Sequence, residues 1–136
     1  MPVRVIQLGS PRAVDEGLRI GTVRRPPRGV PKAEFSVRDW YDVWFPNLAP
    51  SADAMKLGQS ASTEAEWLAF SRRYMAEMSS PEAKHAIHLL AALSHGASFS
   101  FGCYCQNDSR CHRSLLRGLL ADAGAKFAQA SHDGVA

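Results

Sequence analysis

The chain has 136 residues, 46% of them apolar and 21% charged, with a net charge of +3. That composition suffices for one hydrophobic core and excludes a globally disordered chain. No stretch approaches the roughly 20 apolar residues that span a bilayer, and the start, MPVRVIQLGSPR, has neither the long apolar run nor the cleavage site of a signal peptide. A soluble, cytoplasmic protein is expected. Three cysteines within nine positions, an odd number, do not form a secreted disulfide framework.

In chain order, Val3–Leu8 reads as a strand rich in branched aliphatics, stopped by Gly9-Ser10-Pro11. Leu18–Val23 is a shorter second strand. Val37–Phe45 carries Trp40, Trp44 and Phe45 and predicts a short helix ending before Pro46. The stretch from Asn47 to Ser62 has no clear period and predicts loop with at most one helical turn. Thr63 and Glu66 form a capping-box pair, and Trp67, Phe70, Tyr74 and Met78 continue at helical spacing. Ser80 and Pro81 open a further helix with the stripe Ala83, Ala86, Ile87, Leu90 and Leu93, closed at His95-Gly96. Ser98–Cys105 alternates as a strand. Asp108 or Ser109 then caps a last helix from Arg110 to about Ala123, followed by Gly124. Strands separated by helices predict one small α/β domain over residues 1–123, a mostly parallel sheet flanked by helices, with a partly ordered tail at 124–136.

Charge is unevenly spread. Residues 1–40 carry +4 and residues 41–136 carry −1. Arg19, Arg24, Arg25, Arg28 and Lys32 follow one another with no acid among them. Most lie in or beside RRPPRGVPK, whose prolines and glycine predict a stiff loop presenting guanidinium groups to an anionic partner. Weak, salt-dependent contact with nucleic acid is one use of such a loop.

The second chemical feature is FGCYCQNDSRCHR. On a strand, Cys103 and Cys105 share a face, with Cα atoms roughly 6.6 Å apart, near the limit of disulfide geometry. Cys111 falls in the first turn of the last helix, where the helix field and the flanking Arg110 and Arg113 favour a thiolate. At 100° per residue His112 shares a face with Leu115, Leu116 and Leu119, and Arg110, Arg113 and Arg117 lie opposite. An inward imidazole beneath the strand ends follows. Three uses compete. Cys103, Cys105, Cys111 and His112 offer four soft ligands for zinc or iron, or a thiol redox sensor, although the spacing matches no common zinc pattern. A cysteine-phosphatase cradle requires Cys-x5-Arg, whereas Cys105 and Arg110 stand at Cys-x4-Arg. A pocket for a phosphate-bearing or nucleotide-like anion needs no exact motif, only helix N–H groups and arginines, and is the favoured reading. His85 and His88, three apart, sit opposite the apolar stripe and read as surface histidines. Trp40, Trp44, Trp67 and Tyr74 read as core rather than a base-stacking platform.

Three segments resemble the bacterial, uncharacterised family known as domain of unknown function 488, the YeaO-like proteins. Pro27, Arg28, Gly29 and Val30 match that family's "DRLWPRGV" stretch. Leu48, Ala49, Pro50 and Ser51 in LAPSADAMKLG resemble its "PST-type" segment. EWLAFSRRYMAEM and FGCYCQNDSRCHRSLLRGLL resemble its later helix and its "Cys…Cys-His-Arg" ending. The resemblance runs from about Val3 to Leu120 and implies an α/β fold with a shared pocket, but no activity. Here Arg24-Arg25-Pro26 replaces the usual "Asp-Arg-Leu-Trp". The expected pocket combines Arg24, Arg25, Arg28, Gly29, Tyr104 and Arg113 with His112 for proton transfer and Cys111 as nucleophile.

Overall fold

The computed structural model describes residues 2–105 and 111–128. Four short strands, β1 (Val3–Gln7), β2 (Leu18–Gly21), β3 (Val43–Trp44) and β4 (Phe99–Cys103), form one sheet in the order β1-β4-β2-β3. Every pairing is parallel: Val5 opposes Phe101, Ile20 opposes Phe101 from the other side, and Ile20 also opposes Val43. The chain is therefore a small α/β domain. β4 is buried along its whole length, as an inner strand of a parallel sheet must be when both faces are covered.

Four helices follow or precede these strands: α1 (Ala52–Ser60), α2 (Glu64–Glu77), α3 (Pro81–Leu93) and α4 (His112–Asp122). α2 begins with the expected capping box between Thr63 and Glu66, and α3 with Ser80 as cap and Pro81 in the first turn. Their apolar stripes bury Phe70, Tyr74, Ile87 and Leu90 with Leu116, Leu120, Phe99 and Phe101 in the main core. A smaller cluster of Leu8, Val23, Tyr41, Cys103 and Cys111 lies near the carboxyl ends of the strands.

Outside the site, the structure differs from the sequence reading in three places. Val37–Phe45 is not a helix: the chain turns there, and Val43 and Trp44 join the sheet edge. Asp39 adopts φ +64, a conformation that breaks a helix. Arg12 also draws the segment back by bonding the Asp39 and Asp42 carboxylates and the Ser36 carbonyl. The stretch after Asn47 is more ordered than expected. A 3-10 turn, Pro46–Leu48, leads into the nine-residue α1. Ser51 caps α1 by accepting from the Ala54 N–H, and both its backbone N–H and its hydroxyl bond the Glu77 carboxylate at the end of α2. Last, Arg19 is not part of a basic surface. It is fully buried, with Nε 2.7 Å from Glu16 Oε2 and its other nitrogens on Glu16 and on the Ser10 and Asp39 carbonyls.

Gly17 makes that arrangement possible. Its φ is +80, and a Cβ there would lie 2.1 Å from the Ser98 carbonyl oxygen, so only glycine fits. Beyond α4, Val3 and Phe127 form a parallel bridge, with backbone bonds from the Val3 N–H to Lys126 and from the Ala128 N–H to Val3. The described part of the tail therefore lies along the β1 edge. The caps expected at Asp108 and Ser109, and the helix start at Arg110, fall outside the described residues.

Candidate functional site

In a parallel sheet, the carboxyl ends of the strands open a crevice where connecting loops diverge. Here β2 runs on through Thr22 and Val23 into the arginine loop, and β4 runs on into Tyr104 and Cys105. Several bonds fix these exits. The Thr22 N–H and hydroxyl both donate to the Gly102 carbonyl, at 3.2 and 3.0 Å. The Trp44 indole N–H donates to the Val23 carbonyl at 2.7 Å, and the Tyr104 hydroxyl donates to the Arg25 carbonyl at 2.9 Å. The loop is thus tied to the end of β4 rather than left free.

Between these exits and α1 lies a cavity of about 510 Å³. Arg24 and Arg25 line it from the loop, and Met55, Lys56 and Gln59 from α1. Cys103, Tyr104, Cys105 and His112 form a further wall, and Val23, Pro50 and Ala52 close it. Among the described residues its lining holds three cationic side chains and no carboxylate. None of the three makes an ion pair among the described residues. A second recess of about 430 Å³ shares Arg25 and Tyr104 with the first and adds Arg28, Pro27 and Trp40. Trp40 meets Tyr104 edge-on, with centroids 5.8 Å apart.

His112 is buried as the helical face predicts. Its Nε2 lies 2.7 Å from the Thr22 carbonyl oxygen, and its ring packs 5.6 Å from that of Tyr74. A carbonyl only accepts, so Nε2 carries the proton and Nδ1 presents a lone pair, 3.8 Å from the Cys111 sulfur. Burial pushes the His112 pKa down to about 4, so the ring is neutral near pH 7.

The three thiols are not equivalent. Cys103 and Cys111 are buried, and Cys105, just past the end of β4, is exposed. Cys105 is held well below the ordinary thiol range because the Cys103 and then the Cys111 thiols donate to it, with the Arg113 charge adding to the effect. Donating to Cys105 and to Cys111, and burial, drive Cys103 far up. Although the Cys103 thiol favours its thiolate, donation to Cys105 and burial leave Cys111 raised to about 11. The helix field that recommends Cys111 in the sequence is outweighed by its surroundings. The thiol that is both accessible and acidic is Cys105.

Arg113 also sits differently from its helical-wheel position. It is buried at the start of α4, with Nη1 on the Ile6 carbonyl at 2.6 Å and Nη2 on the Cys105 carbonyl at 2.8 Å. Its Nε has no partner among the described residues. In the first turn, beneath the ends of β1 and β4, the side chain reaches inward to the Ile6 and Cys105 carbonyls. Of the expected pocket, then, Arg24, Arg25, Tyr104 and His112 converge on the cavity. Arg28 lines the neighbouring recess, Gly29 lines neither, and Cys111 and Arg113 stand behind the wall.

A family model described as "Active DUF488-N3 subclade" matches residues 3–124. The chain belongs to the DUF488 family. No curated protein and no solved structure matches it. The sequence reading of this DUF488 protein missed Met55, Lys56 and Gln59, which reach the cavity only because α1 exists. The usable signal was Ser51 as a cap before the helix formers Ala52, Ala54, Met55, Lys56 and Leu57. Thr22, the partner of His112, carries no signal in one sequence. No helix among the described residues is long and apolar enough to cross a membrane.

Proposed function

We propose that this protein binds an anionic small molecule in the cavity at the carboxyl ends of β2 and β4. One observation carries the reading: among the described residues the cavity is walled by Arg24, Arg25 and Lys56 and by no acid. Three like charges around one concave surface repel each other, and an anion relieves that repulsion while gaining charge-assisted hydrogen bonds. The apolar remainder, including Met55, Val23 and Pro50, suits a body attached to the anionic group. Because Arg25 and Tyr104 belong to both recesses, a phosphate-bearing ligand with a planar part spans them, its phosphate near Lys56 and its ring toward Trp40. Neutral His112, bonded to the Thr22 carbonyl, holds the wall in position.

Thermal shift measurements with matched pairs test this reading. A nucleoside monophosphate and a sugar phosphate raise Tm at millimolar concentration, and the corresponding nucleoside and sugar do not. Equal shifts from charged and neutral members, or none from any, would overturn it.

A further inference from the structure

We infer that Cys103, Cys105, Cys111 and His112 bind one zinc-type divalent ion beside the cavity. The Cys103, Cys111 and His112 ligand atoms all lie within 4.8 Å of one another, in side chains that are buried. A tetrahedral zinc site with sulfur at about 2.3 Å and nitrogen at about 2.0–2.1 Å needs ligand atoms roughly 3.5–3.8 Å apart. The Cys111 sulfur and His112 Nδ1 already stand at 3.8 Å.

The histidine is prepared for this role from behind. Its Nε2–H donates to the Thr22 carbonyl, so the nitrogen facing the sulfurs is the one with a free lone pair. A metal-bound imidazole is usually oriented by such a carbonyl. Cys105 lies outside that compact trio; exposed just past β4 on the same cavity wall as Cys103 and His112, its side chain supplies the fourth ligand when the ion binds. Thiolate and imidazole donors select a soft or borderline ion and disfavour magnesium and calcium.

Charge balance supplies an independent argument. Arg113 is a buried cation without a carboxylate partner among the described residues. An isolated buried charge is costly. A divalent ion with three thiolates carries one net negative charge, which Arg113 cancels. Loading releases to solvent the proton of each thiol that ligates. This inference does not depend on the anion-binding reading, since the ligands include neither the loop arginines nor Lys56.

The test uses the full chain, reduced, incubated with Zn²⁺ and desalted, with metal measured by plasma mass spectrometry. About one zinc per chain is expected. Replacement by Co²⁺ should give thiolate-to-metal charge-transfer absorption and the intense visible bands of a tetrahedral site. Less than about a tenth of an equivalent in folded protein would overturn the inference. Cys111→Ser and His112→Ala remove interior groups and are prone to unfold, so Cys105→Ser, at an exposed position, is the informative variant. It should fold and bind Zn²⁺ at least about tenfold more weakly in chelator competition. Unchanged affinity would overturn the four-ligand assignment.

Discussion

Replacing Glu16 tests how the sheet end that carries the site is held. Its carboxylate accepts two bonds from Arg19, one from the Ser100 hydroxyl and one from the Ala13 N–H. Both ionic partners are buried. Glu16→Ala leaves the Arg19 guanidinium with only the Ser10 and Asp39 carbonyls and strips Ser100 and Ala13 of their acceptor. Breaking one side of a buried pair costs about 3–5 kcal/mol, a large share of the roughly 5–15 kcal/mol that holds a domain folded. With a urea dependence of about 2 kcal/mol per M, the unfolding midpoint falls by roughly 1.5–2.5 M. Glu16→Leu combined with Arg19→Met should be milder than Glu16→Ala, because no charge is left stranded. The pH dependence has a definite sign. Burial opposes ionisation of Glu16, but Arg19 and Ser100 together hold its pKa below the free value of 4.5. Its contribution is therefore full above about pH 4.5 and is lost as pH falls through the lower folded value. Glu16→Gln should flatten the stability profile in that acid range. A midpoint shift under about 0.5 M for Glu16→Ala would refute the reasoning.

Three other expectations are simpler. Gly102→Ala would place a Cβ 2.0 Å from the Ile6 carbonyl oxygen, between β1 and β4, so Tm should drop by at least about 5 °C, and an unchanged melt would contradict the register. Tyr74→Phe removes the donor to the Leu48 carbonyl and should cost about 1–3 kcal/mol in urea unfolding, since that buried acceptor is left unpaired. In reduced, chelator-treated protein, iodoacetamide should label Cys105 first, with Cys103 and Cys111 protected until unfolding; peptide mass mapping showing equal labelling of all three would contradict the burial pattern.

Local patterns announced most of the elements, because α2, α3 and β4 each combine a strong period with a cap or a clean alternation. The parallel sheet followed from that alternation of element types. What escaped notice depended on contacts between distant residues. Arg19 looks like its neighbours Arg24 and Arg25 until Glu16 and the Ser10 and Asp39 carbonyls are brought around it. Arg113 follows a helical wheel outward, yet the carbonyls at the ends of β1 and β4 draw it in. The aromatics of Val37–Phe45 suggest a helix, but Asp39 turns the chain and Ile20 captures Val43. At the site, the cysteines, His112 and the arginine loop were visible as chemistry. The α1 wall was legible only through its local Ser51 cap; the bond that ties this cap to α2 comes from Glu77 on another helix.

The central claim is that an anion occupies the space among Arg24, Arg25 and Lys56, and titration of ¹⁵N-labelled protein with inorganic phosphate tests it most directly. Amide shifts should move in saturable fashion at Arg24, Arg25, Lys56, Tyr104 and Cys105, weaken with added salt, and vanish in the Arg24→Ala/Lys56→Ala variant. Shifts that are absent, or that centre on exposed Arg72 and Lys84 elsewhere on the helical surface, would contradict the account.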